Sequence, residues 1–120
     1  MNHKLTSSID KYRTCPEFIT INITDVNQRG NFGDSLLHVA AGGQALEDMA
    51  LFVSFGANVN AKGDLGNTSL HQSASRGLVK SVRKLLELGA DKSITNEDGQ
   101  TAFDLAKLMD RKEVIKILQA

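Results

Sequence analysis

The chain has 120 residues, with fourteen basic and fourteen acidic side chains and a formal net charge of zero. That balance lacks the basic excess that phosphate backbones attract, which argues against nucleic acid, and no run of roughly eighteen apolar residues offers a membrane span. The length suits one domain or one short stack, and a lone cysteine, Cys15, cannot make an internal disulfide, in keeping with a reducing, cytoplasmic setting.

In chain order, residues 1–28 carry two competing signals. Ile19, Ile21 and Ile23 alternate with Thr20, Asn22 and Thr24, as a strand would. A repeat register set by the later sequence instead predicts a polar helix near Leu5 to Tyr12 and a second beginning near Pro16, with Thr14 as its cap. The register is the preferred expectation. From residue 29 it is plain: Gly33, Gly66 and Gly99 are thirty-three residues apart, as are Leu37, Leu70 and Phe103, and Ala40, Ser73 and Ala106. Each unit reads as a turn, a short helix, a longer helix and a glycine stop. In the middle unit Thr68 caps the first helix, and Leu70, Ser73 and Ala74 set one large and two small residues on one face. The longer helix, about Leu78 to Leu88, places Val82, Leu85 and Leu86 on one side and ends at Gly89. No such helix pair buries enough apolar surface alone, so the units must stack.

The thirty-three-residue period, the Thr68–His71 motif followed by small residues, and the run Leu85 to Asp91 resemble the ankyrin repeat over residues 25–120. The resemblance implies an all-α ankyrin-repeat solenoid of helix-turn-helix units joined by β-turn, hairpin-like fingers beside a concave face. It divides the chain into a degenerate N-terminal capping unit (1–28), repeats at 29–61 and 62–94, and a C-terminal capping repeat (95–120). Departures are local: Leu36, Ser69 and Ala102 stand where the family prefers proline, Gln44 where it prefers glycine, and Asp104 where it prefers histidine.

Apparent chemistry dissolves into this repeat. His38 and His71 sit one unit apart, and on packed helices about 8 to 10 Å apart they are not expected to share one zinc, whose ligands lie about 2 Å from the metal. The resemblance implies hydrogen bonding within the turn for them. Cys15 has no histidine close in sequence, and its neighbours Thr14, Pro16 and Glu17 supply no positive charge to activate it. Gly30–Gly33 and Gly63–Gly66 look like phosphate loops, but they recur at the repeat period and lack a following Lys-Ser/Thr. No metal, cofactor or catalytic residue is expected.

Gly33, His38, Gly66, Thr68, Leu70, His71 and Gly99 are therefore expected to be structural. Partner-binding candidates are Asn31, Phe32, Asp34, Asp64, Leu65, Asn67, Glu97, Asp98 and Gln100 on the fingers and Arg76 on the concave face. Phe32 and Leu65 occupy equivalent tips, and the row of carboxylates fits a protein partner with a basic face. The expectation is a non-enzymatic protein-binding module, a monomer or dimer. Its small size suggests a stand-alone inhibitor or immunity protein that occludes an enzyme, such as a bacterial toxin.

Overall fold

The computed structural model describes residues 3–19 and 23–119, and the middle of the Ile19–Thr24 alternation lies outside them. Among the described residues there are seven α-helices and no named strand: α1 His3–Asp10, α2 Leu36–Gly42, α3 Leu46–Ser54, α4 Ser69–Arg76, α5 Val79–Glu87, α6 Ala102–Leu108 and α7 Lys112–Gln119. From α2 onward they form three antiparallel pairs. The short helices α2, α4 and α6 pack on one another as an inner layer, and α3, α5 and α7 as an outer one. The stack measures 38 × 24 × 20 Å.

Patterning explains the layers. Leu37, Ala40 and Ala41 on α2, and Leu70, Ser73 and Ala74 on α4, are almost fully buried. One leucine fills the space between layers while the small residues let adjacent inner helices approach. Met49, Phe52, Val82, Leu85, Val114 and Leu118 close the core from the outer layer. Ser81 stands among them because its hydroxyl donates to the Ala41 carbonyl at 2.6 Å.

Ser73 is the exception. Its hydroxyl is buried without a hydrogen-bond partner among the described residues, where the register carries Ala40 and Ala106 in the other units. An unsatisfied buried hydroxyl costs about 1 to 3 kcal/mol. Ser73→Ala is accordingly expected to stabilise the fold by about 1 kcal/mol, read as a higher urea midpoint with an unchanged slope.

The N-terminal segment departs from its expected form. Helix α1 spans His3–Asp10 rather than Leu5 to Tyr12, and residues 16–19 are turn, so no helix begins at Pro16. Register would place α1 in the inner layer, yet it packs on the outer helix α3. With no outer helix before it among the described residues, the flank of α3 needs cover, and Leu5, Ile9 and Tyr12, at helical spacing, supply it. The Tyr12 ring meets Phe52 edge-on at 5.7 Å. Its hydroxyl donates to the buried Asp48 carboxylate at 2.7 Å, which also holds Lys11 at 3.0 Å. Burial, reinforced by Asp48, pushes the Tyr12 phenol well above its usual pKa.

Candidate functional site

The three fingers share one backbone plan. Gly30, Gly63 and Asn96 each donate their N–H to the carbonyl four residues on, Asp34, Asn67 and Gln100, at 2.8, 2.8 and 2.9 Å. Inside this ring Gly33, Gly66 and Gly99 have φ of +92°, +74° and +73°. That left-handed region strains a side chain, which explains the glycine at each of these places.

Hydrogen bonds tie each finger to the unit before it. The N–H groups of Asn31, Asp64 and Glu97 donate to the Glu17 carbonyl, the Asp34 carboxylate and the Leu65 carbonyl at 2.6, 3.1 and 3.1 Å. Glu17, itself buried, also accepts from the N–H groups of Phe32 at 3.2 Å and Asp34 at 2.6 Å. Gly30 makes room for it, since a Cβ there would stand 2.5 Å from the Glu17 carbonyl oxygen. In the third finger Asn96 accepts the equivalent N–H groups, Asp98 and Gln100, with its own side chain at 3.0 Å.

Two histidines complete the frame. His38 Nε2 lies 3.0 Å from the Asn67 carbonyl and His71 Nε2 2.8 Å from the Gln100 carbonyl. A carbonyl only accepts, so both Nε2 atoms carry the proton. Each Nδ1 then accepts from the helix-capping residue, whose N–H lies at 3.2 Å for Ser35 and 3.1 Å for Thr68. Both ring nitrogens are thus engaged, one within the unit and one with the next. Asp104 stands at the third equivalent position and makes only the inner contact, accepting from Thr101 N–H at 3.0 Å.

Burial lowers the pKa of both histidines from about 6.5, against the smaller opposing effect of the carbonyl bonds. The unfolded chain therefore takes up protons before the folded one does as pH falls. Their contribution to stability is complete above pH 6.5 and is lost as pH falls toward their folded pKa values. The melting temperature is expected to drop between pH 7.5 and 5.5, with proton uptake on unfolding about halved in His38→Asn. A flat profile across that range would contradict the buried, neutral assignment.

Of the expected contact residues, Phe32, Asp64, Leu65, Glu97 and Asp98 face solvent on the fingers and Arg76 does so on α4. Phe32 and Leu65 are 62% and 61% exposed, so neither folds back onto a neighbour. Three others also hydrogen-bond within the frame. Asp34 accepts from Asp64 N–H and from the Gln72 amide at 3.2 Å, Asn67 accepts from Asn96 Nδ2 at 3.0 Å, and Gln100 from the same amide at 3.3 Å. Asn31 is exposed but donates to the Pro16 carbonyl at 3.3 Å. Polar side chains in a turn close hydrogen bonds as readily as they meet partners. Cys15 is half-buried against the core.

The inner helices form the floor expected to be concave. Its rows, one residue per unit, run Val39, Gln72, Leu105; Gly42, Ser75, Leu108; and Gly43, Arg76, Met109. Leu108 and Met109, which the sequence reading missed, are 69% and 49% exposed. The available signal was their register with Ser75 and Arg76, where an apolar pair departs from the other units.

A stack of turn-helix-helix units with projecting fingers is a helical repeat solenoid, a class that presents surfaces rather than enclosing pockets. Residues 53–106 match the family described as ankyrin repeats (many copies), which supports an ankyrin-repeat protein. No curated protein matches it. Ankyrin repeats generally mediate protein–protein interaction and are typically not enzymes. No helix among the described residues is long and apolar enough to cross a membrane.

Proposed function

We propose that this chain is a non-enzymatic module that binds a protein partner with a basic face through its fingers and concave floor. The observation that carries the reading is the pair Phe32 and Leu65, large apolar side chains held out to solvent at equivalent positions on consecutive tips. Interface anchors are apolar side chains that fill a partner's pockets, and charges around them set partner choice. Asp64, Glu97 and Asp98, all exposed, supply that charge. In this reading residues 29–61, 62–94 and 95–120 are the stacked units and residues 1–28 a degenerate cap. An inhibitor or immunity role in the cytoplasm would use the same surface, differing only in what the partner is.

Affinity capture from the native source, with wild-type chain and with Phe32→Ala/Leu65→Ala, tests it. The double variant is expected to lose at least tenfold in affinity for the captured protein while its melting temperature stays within a degree or two, because exposed side chains contribute little to stability. Equal capture by both chains, or no specific protein captured, would sink the proposal.

A further inference from the structure

Arg111 and Lys112 stand where the other units carry apolar pairs, Ala45 with Leu46 and Leu78 with Val79. An end unit needs polar residues at such places, but nothing requires both to be cations. Arg111 does not simply extend into solvent. It is half-buried and folds back on the middle unit, where its Nε donates to the Ser75 carbonyl at 2.9 Å. Gly77 makes room for it, since a Cβ there would stand 2.9 Å from Arg111 Cδ. The main chain thus fixes one nitrogen of the guanidinium and leaves its two terminal nitrogens to point a fork outward.

The pair closes a row of cations along the helix–helix turns, the edge opposite the fingers. Arg76 lies over Gly42 of the first unit, Lys80 stands in the first turn of α5, Arg111 bridges the second and third units, and Lys112 opens α7. None of the four joins a salt bridge among the described residues. The carboxylates of the same edge are Glu47, Asp110 and Glu113, and Glu113 is drawn to Arg83 at 3.7 Å. The edge is therefore net positive in a chain whose net charge is zero. Within the row, Gly77, Val79, Arg111, Lys112, Glu113 and Val114 line a shallow hollow of about 140 Å³, room for one acidic side chain.

We infer that this edge is a docking surface, separate from the fingers and the floor, and that its occupant is an extended acidic segment of a partner protein. Packed helices lie about 8 to 10 Å apart, so a row crossing three units runs about 16 to 20 Å. At about 3.3 Å per residue, some five or six extended residues cover it, and carboxylates about three residues apart fall in step with the units. The Arg111 fork takes one carboxylate through two parallel N–H bonds, which a lysine cannot do. Glu47 and Asp110 decide against other polyanions. A peptide sets a neutral residue opposite each of them, whereas a nucleic-acid backbone or an anionic bilayer is charged throughout and meets them with repulsion. The edge does not depend on the finger reading; if both hold, the chain joins a basic partner to an acidic one.

The test uses the whole chain, labelled with nitrogen-15, and a synthetic peptide repeating glutamate, serine, serine, with a control in which lysine replaces glutamate. The acidic peptide is expected to shift the amides of residues 76–80 and 110–114, to leave those of residues 30–33, 64–66 and 97–99 unmoved, and to bind more weakly as salt rises. Lys80→Gln together with Lys112→Gln should weaken it about fivefold at an unchanged melting temperature, because both side chains are exposed. Equal binding of the two peptides, no shift with either, shifts at the finger residues alone, or full affinity in the double variant would each overturn the inference. Tighter binding to phosphatidylserine vesicles or to duplex DNA than to the acidic peptide would do so too. Phe32→Ala/Leu65→Ala should leave the acidic peptide's affinity unchanged, so either reading can fail alone.

Discussion

Leu70→Ala is expected to lower the stability of the chain by about 2 to 5 kcal/mol, the range for truncating a buried leucine where the surroundings relax only in part. Leu70 is almost fully buried at the centre of the inner layer, on α4, which touches α2, α5 and α6. Relaxation is hindered because its neighbours are fixed from several sides. Thr68 and His71 pin the start of the helix, and the Gln100 carbonyl pins His71 from the next unit. The units of a solenoid share their core, so the loss at this position is felt through both interfaces of the middle unit. Urea unfolding gives the measurement. A midpoint shift equivalent to less than about 1 kcal/mol would mean that the core is not built around this residue.

Glu17→Ala is expected to cost about 2 kcal/mol, since a hydrogen bond to a charged group is worth about 1.5 to 3 kcal/mol and its loss leaves donors unpaired. The carboxylate is buried and receives the N–H groups of Phe32 and Asp34. Part of the loss is recovered by water, because Phe32 itself is exposed. Hydrogen exchange provides the sharper readout: the amides of residues 32 and 34 should exchange faster in the variant than in wild type, while those of α4 and α5 change little. Glu17→Gln retains an oxygen acceptor and should restore part of the protection. Unchanged exchange at residues 32 and 34 in Glu17→Ala would show that the N-terminal segment does not order the first finger.

The sequence was most readable where side chains act on their own unit. Thr68, Leu70, His71 and Gly66 recur at a fixed period, and each local role follows from residue type: a cap, a core leucine, a capping partner and a left-handed turn. It was least readable where a side chain acts on distant main chain. Glu17 looks like any surface glutamate, because the N–H groups it receives leave no mark in the sequence. Asp34, Asn67 and Gln100 read as solvent-facing for the same reason. Helix α1 was expected in the inner layer because register extends a pattern and ignores vacancies; the uncovered flank of α3 drew Leu5, Ile9 and Tyr12 outward. Leu108 and Met109 went unremarked, since an apolar pair in a helix does not reveal which face it lies on until the helix is placed.

The links that clamp one unit to the next end largely on main-chain atoms: His38 and His71 reach the carbonyls of Asn67 and Gln100, and Asn27 and Asn60 receive the N–H groups of Asn58 and Asp91. Every amino acid offers the same carbonyl, and all but proline the same N–H. The scaffold therefore does not depend on which side chains crown its tips. Residues 32, 64, 97 and 98 are free to drift or to be redesigned, and a lineage carrying this frame can change what it recognises without first relearning how to fold.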